Sequence, residues 1–145
     1  MLGFFPLFAL ILIAYNVVAF GGGFIFDSQA IGEALVKPIT SISMMSGDTW
    51  QITLGDIFIV ASLLILFIEI VKSTRTEQSS IINHAMSMLV FIVFLIEFIV
   101  LEGFGNTTFF LMMAMSLLDV VAGFTVTIST ARRDLGIGEG IFAGS

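Results

Sequence analysis

The residues that could do chemistry in this chain are few, and most of them lie inside apolar sequence. Asp119 is the sharpest case, near the midpoint of the apolar run from Thr108 to Thr130. A carboxyl group at that depth in hydrocarbon is costly, so it marks either a proton or cation site or an acid hydrogen-bonded to a neighbouring helix. Its helical stripe, Met112, Ser116, Asp119, Gly123, Val126 and Thr130, alternates spacings of four and three and is small or polar, as a packing seam requires. Glu97 shares a face with Asn83, Ser87, Val90 and Phe94, and Glu69 lies in line with Gly55 and Ser62. His84 opens its run at a depth similar to that of Glu69, so a Glu69–His84 pair is geometrically open. Asp56, near the other end, could approach Glu97 or Glu102, and the plainer expectation for Glu69, Glu102 and Asp56 is interfacial snorkelling or helix capping. The candidate intramembrane polar or ion site is therefore Asp119, Glu97, Glu69 and His84, and the candidate packing seam is Ser116, Gly123, Gly55 and Ser62.

Other chemistries have no residues to carry them. The chain has no cysteine, and a lone histidine makes a poor transition-metal set, so no metal or cofactor is expected. There is no G-x-S-x-G, phosphate-binding loop or H-E-x-x-H motif, and no catalytic residue is assigned. Eleven acids against five bases give a net charge of -6, which offers no electrostatic basis for nucleic-acid binding.

The elements that must position these residues are membrane spans. Hydrophobic residues make up 58% of the 145, charged residues only 11%, and the mean hydropathy is +1.14. A soluble domain carries about 25% charged residues, so the solvent for most of this surface must be lipid. Four apolar runs approach the roughly 20 helical residues that a hydrocarbon core demands: about 2–20, 52–71, 81–101 and 108–130. None alternates as a barrel strand would. The first run lacks a basic leader and an A-x-A site, and is expected to be a retained span. The expected fold is an all-α integral membrane protein: an antiparallel bundle of four transmembrane helices in a single membrane domain. The first span, nearly pure hydrocarbon apart from Tyr15 and Asn16, is expected to face lipid while the other three pack together.

Orientation follows from the bases. Lys72 and Arg75, with Arg132 and Arg133, fall on one side of a four-span topology, and Lys37 stands alone on the other among Asp27, Glu33 and Asp48. The positive-inside rule then places both termini in the cytoplasm. The long outer loop, 21–51, is expected to hold a short helix capped by Asp27 or Ser28, then an apolar piece on the membrane surface with Trp50 as interface anchor. The Gly-rich tail, 131–145, has the composition of a disordered segment.

Several stretches carry a resemblance: Met44-Met45-Ser46-Gly47 to Trp50, Thr53-Leu54-Gly55-Asp56, Glu69 to Thr76, Ser80-Ile81 with His84, and Asp119 to Phe124 leading to Ala131-Arg132-Arg133-Asp134. Together they resemble a family of uncharacterised small four-span inner-membrane proteins of alphaproteobacterial type. The resemblance implies location and topology, and transfers no catalytic residue. The expected function is that of a non-enzymatic membrane subunit, self-associating or attached to other membrane protein subunits as an accessory or scaffold component. The alternatives are an oligomeric proton- or ion-translocating protein using the intramembrane carboxylates, and binding of a lipid or quinone-like ligand in a Phe- and Met-lined groove.

Overall fold

The computed structural model describes residues 6–25, 31–73 and 79–142. In chain order they form α1 (Phe8–Ile25), α2 (Ile31–Val36), β1 (Pro38–Ser43), β2 (Thr49–Thr53), α3 (Leu54–Ser73), α4 (Ser79–Val100) and α5 (Thr107–Phe142). Three stretches are long and apolar enough to cross a membrane: Leu54–Ser73, Ile82–Val100 and Thr107–Val126, with mean hydropathies of 2.5, 2.1 and 2.0. The apolar part of α1, Phe8–Gly21, is shorter. Phe67, Ile99 and Val100 are 66%, 70% and 70% exposed on the outside of these helices. Apolar surface on this scale belongs in lipid.

Local chemistry sets the ends of the helices. Pro6 is buried ahead of α1, where a missing N–H is harmless, and its carbonyl accepts from Ala9 N at 3.1 Å. Asn106 caps α5: its Oδ1 accepts from Phe109 N at 2.9 Å, two residues beyond the first helical position. Gly103, at φ 84°, takes the left-handed conformation that turns the chain from α4 into α5. Thr53 and Asp56 form a reciprocal box at the start of α3. Asp56 Oδ2 accepts from Thr53 N (2.8 Å) and Oγ1 (2.7 Å), and Thr53 Oγ1 accepts from Asp56 N (3.2 Å). Asp56 is thus a capping residue.

α5 packs against both α3 and α4, and α1 is laid against the same two helices from its own side. The core is layered along the helices. Near the hairpin end it is aromatic: Tyr15, Phe58, Phe94, Phe104 and Phe109 are all buried, with ring centroids 4.7 to 5.4 Å apart in the contacting pairs. Toward the Lys72 end it becomes polar, through Ser62 and Ser116 to Ser87, Asp119, Glu69 and His84.

Three expectations are corrected. The first helix is not simply lipid-facing, since Phe8, Ile11, Leu12 and Tyr15 are buried in the core. The Tyr15 hydroxyl accepts from Asn106 Nδ2 at 2.7 Å. The first loop is not all helix and coil: β1 and β2 form an antiparallel hairpin whose turn holds Gly47 at φ 92°. Finally, α5 does not stop near Thr130 but continues as helix through Gly136, Gly138 and Gly140 to Phe142. The expected cap at Asp27 or Ser28 lies outside the described residues; the short helix itself begins at Ile31.

Candidate functional site

Three of the four candidate titratable residues come together in the half of the bundle that ends at Lys72. Glu69 is supplied by α3, His84 by α4 and Asp119 by α5, and they are 2%, 3% and 6% exposed. The Ser87 hydroxyl hydrogen-bonds the Asp119 carboxyl, and Glu69 lies close enough to act electrostatically on both His84 and Asp119. Spacing explains the convergence. Ser62 and Glu69 are two turns apart on α3, Asn83 and Ser87 one turn apart on α4, and Ser116, Asp119 and Gly123 line one stripe of α5.

Glu69 is the junction of this cluster. Its Oε1 accepts from Leu7 N at 2.7 Å and meets Lys72 Nζ at 3.4 Å, with Oε2 to the same Nζ at 3.5 Å. The carboxylate therefore caps the N-terminal end of α1, where helical N–H groups lack partners and the helix dipole favours negative charge. Lys72, one turn beyond, links the cluster toward the end of α3. Asn83 Oδ1 is buried and has no hydrogen-bond partner among the described residues, an uncommon state for a buried acceptor. Among the described residues, no three His, Cys, Asp or Glu side chains are grouped to hold a metal ion.

Two seam glycines are needed for close approach. A Cβ on Gly123 would overlap the His84 imidazole, so the absent side chain is what lets the ring lie against α5, beside Phe124 at 5.8 Å between centroids. A Cβ on Gly55 would sit 2.8 Å from Thr108 Oγ1 and 3.0 Å from the Leu35 carbonyl. Ser62 and Ser116 are fully buried, and Ser62 Oγ donates to Phe58 O at 2.7 Å. All four seam residues thus lie at contacts within the chain.

Glu97 stands apart from this cluster. It faces α1, where Asn16 Nδ2 donates to Glu97 Oε2 at 2.9 Å and to Leu12 O at 2.9 Å. The pair sits in an open groove of about 500 Å³ walled by Leu12, Ile13, Val17, Phe20 and Val93. Trp50 lies on β2, opposite Ile42, and is half exposed. Capping by Asp56 was expected, but sequence reasoning missed Thr53 as its partner and Asn106 as a cap, although Thr-x-x-Asp and Asn before an apolar run are both cap signals. It also missed Asn16 as the partner of Glu97, for which one sequence holds no signal. No family model, curated protein or solved structure matches the chain.

Proposed function

We propose that this chain is a four-span, non-enzymatic inner-membrane subunit, with both termini cytoplasmic, that self-associates or serves as an accessory component of a larger membrane complex. The observation that carries this reading is the Glu97–Asn16 pair in its apolar groove. Ionisable groups within spans face protein or water rather than acyl chains, and this pair is on the outside of the bundle. A transmembrane helix seated between α1 and α4 would remove it from lipid. The course of α1 supports a fourth span: Leu7 meets Glu69 near one end of the bundle, and Tyr15 reaches Asn106 at the other. Native mass spectrometry in mild detergent tests the reading. A defined oligomer or a retained partner is expected, weakened by Glu97→Leu; an isolated monomer under all gentle conditions counts against it.

A second reading, an oligomeric proton- or ion-translocating protein, is favoured by the convergence of Glu69, His84 and Asp119. Within one copy, the buried layer of Phe94, Phe109 and Met112 separates these groups from the hairpin end. A complete pathway would then need an oligomer or a rearrangement of that layer. Flux into liposomes, compared between the native chain and Asp119→Asn, decides it: absent flux, or flux indifferent to the substitution, removes the idea.

A further inference from the structure

The hairpin end holds a surface that neither reading uses. The antiparallel register sets Thr40 opposite Ile52, Ser41 opposite Gln51, Ile42 opposite Trp50 and Ser43 opposite Thr49. Paired residues point to the same side of a ribbon and neighbours to opposite sides. One side is therefore Thr40, Ile42, Trp50 and Ile52, while the other is Ser41, Ser43, Thr49 and Gln51, every one a hydroxyl or an amide. Ile42 and Trp50 are 47% and 52% exposed, and Met44 and Met45 stand exposed at the tip. A two-stranded ribbon with one apolar side needs something to cover that side.

We infer that the hairpin and the crease at its base form a phospholipid-contact surface, with the Ile42–Trp50 side resting at the boundary between acyl chains and headgroups and Lys37 meeting lipid phosphate. Continuity with the membrane-crossing helix is the first argument. β2 ends at Thr53 and α3 begins at Leu54 with no linker, and the Thr53–Asp56 box fixes the junction. Trp50 precedes Leu54 by four residues, so it stands within about 13 Å of the start of α3, near the headgroup zone. The crease supplies the second argument. Its volume is about 260 Å³, and Ala34, Pro38, Ile39 and Leu54 line it beside Lys37. A cation next to apolar walls matches a phosphate next to an acyl chain, and Lys37 makes no ion pair among the described residues. The charge pattern agrees: the apolar side carries no ionisable group, and Asp48 at the turn is hydrogen-bonded by the Ser46 hydroxyl at 3.1 Å.

Trp50 is the only tryptophan in the chain, so its fluorescence reports this surface alone. The full chain is reconstituted in phosphatidylcholine vesicles, with and without phosphatidylglycerol, and quenched separately by lipids brominated high on the acyl chain and by aqueous iodide. Strong quenching by the brominated lipid with several-fold protection from iodide is expected. Ile42→Asp should move Trp50 toward iodide, with circular dichroism confirming that the helices remain. Lys37→Gln should lower the protection of Trp50 slightly in phosphatidylcholine, whose phosphate is offset by choline, and abolish the added protection that the anionic lipid gives. Iodide quenching like that of a free indole, without quenching by lipid, overturns the inference. Protection from both quenchers also overturns it, because a second copy of the chain would then cover the ribbon. Identical behaviour of the native chain and Lys37→Gln in both lipids overturns the phosphate contact. The inference requires only that α3 crosses the bilayer, so its failure leaves both functional readings untouched.

Discussion

Glu69 and His84 occupy the interior of the bundle for different reasons, and substitutions separate them. Glu69 accepts the Leu7 N–H at 2.7 Å and pairs with Lys72, so its carboxylate ties α1 to α3. Glu69→Ala should destabilise the protein by about 1–2 kcal/mol, as loss of a helix-capping acceptor does. Glu69→Gln, which keeps an oxygen acceptor, should cost less. Thermal unfolding in detergent, with amide exchange in the first turn of α1, checks both. His84 depends instead on the absence of a side chain at Gly123. Gly123→Ala forces the imidazole or α5 to move and should cost about 1–3 kcal/mol by overpacking. Gly32→Ala is the control, since a Cβ there meets nothing within 4 Å; equal melting temperatures for the two variants would show that the ring yields freely. At this scale the sequence was informative about which residues matter and weaker about partners. Asp119, Glu69 and His84 stood out because charge in hydrocarbon is conspicuous, whereas Ser87 and Asn83 are ordinary residues until a neighbouring helix is placed against them.

Between elements, the junction of the hairpin with α3 concentrates the local order. Thr53 and Asp56 satisfy each other's backbone N–H groups. Asp56→Ala should therefore cost about 1 kcal/mol and speed hydrogen exchange at the first turn of α3, while leaving exchange at Val90 in α4 unchanged. Exchange that rises in both helices together would mean that the box supports the whole bundle rather than one junction. The long helices were readable because twenty apolar residues in succession admit few alternatives. The hairpin was not, because each strand has only five or six residues and its evidence is the pairing of Ile42 with Trp50, which one strand's pattern does not contain. The placement of α1 was missed for a related reason. A helix apolar on all sides does not say which side packs, and Tyr15 is drawn inward by the Asn106 amide and by the rings of Phe58, Phe104 and Phe109.

For the molecule as a whole, direction in the membrane governs which compartment the polar cluster meets. The layering is asymmetric: aromatic rings fill the hairpin end, while Glu69, His84, Ser87 and Asp119 lie toward the end marked by Lys72. In the sequence, Arg75 follows Lys72 by three residues and Arg132 and Arg133 follow the last apolar stretch, Thr107–Val126, while Lys37 directly precedes the hairpin. In the proposed orientation, the cluster is approached from the cytoplasm and the hairpin lies on the opposite surface. Because the chain has no cysteine, single cysteines report sides without background. Ser46→Cys at the exposed hairpin turn should react with a membrane-impermeant maleimide applied outside intact spheroplasts. Ser73→Cys, at the far end of α3, should react only after permeabilisation. Reversal of the two would invert the protein and turn the polar cluster outward. Reaction of both from one side would mean that α3 does not cross, and with it would go the placement of Glu69 inside the bilayer.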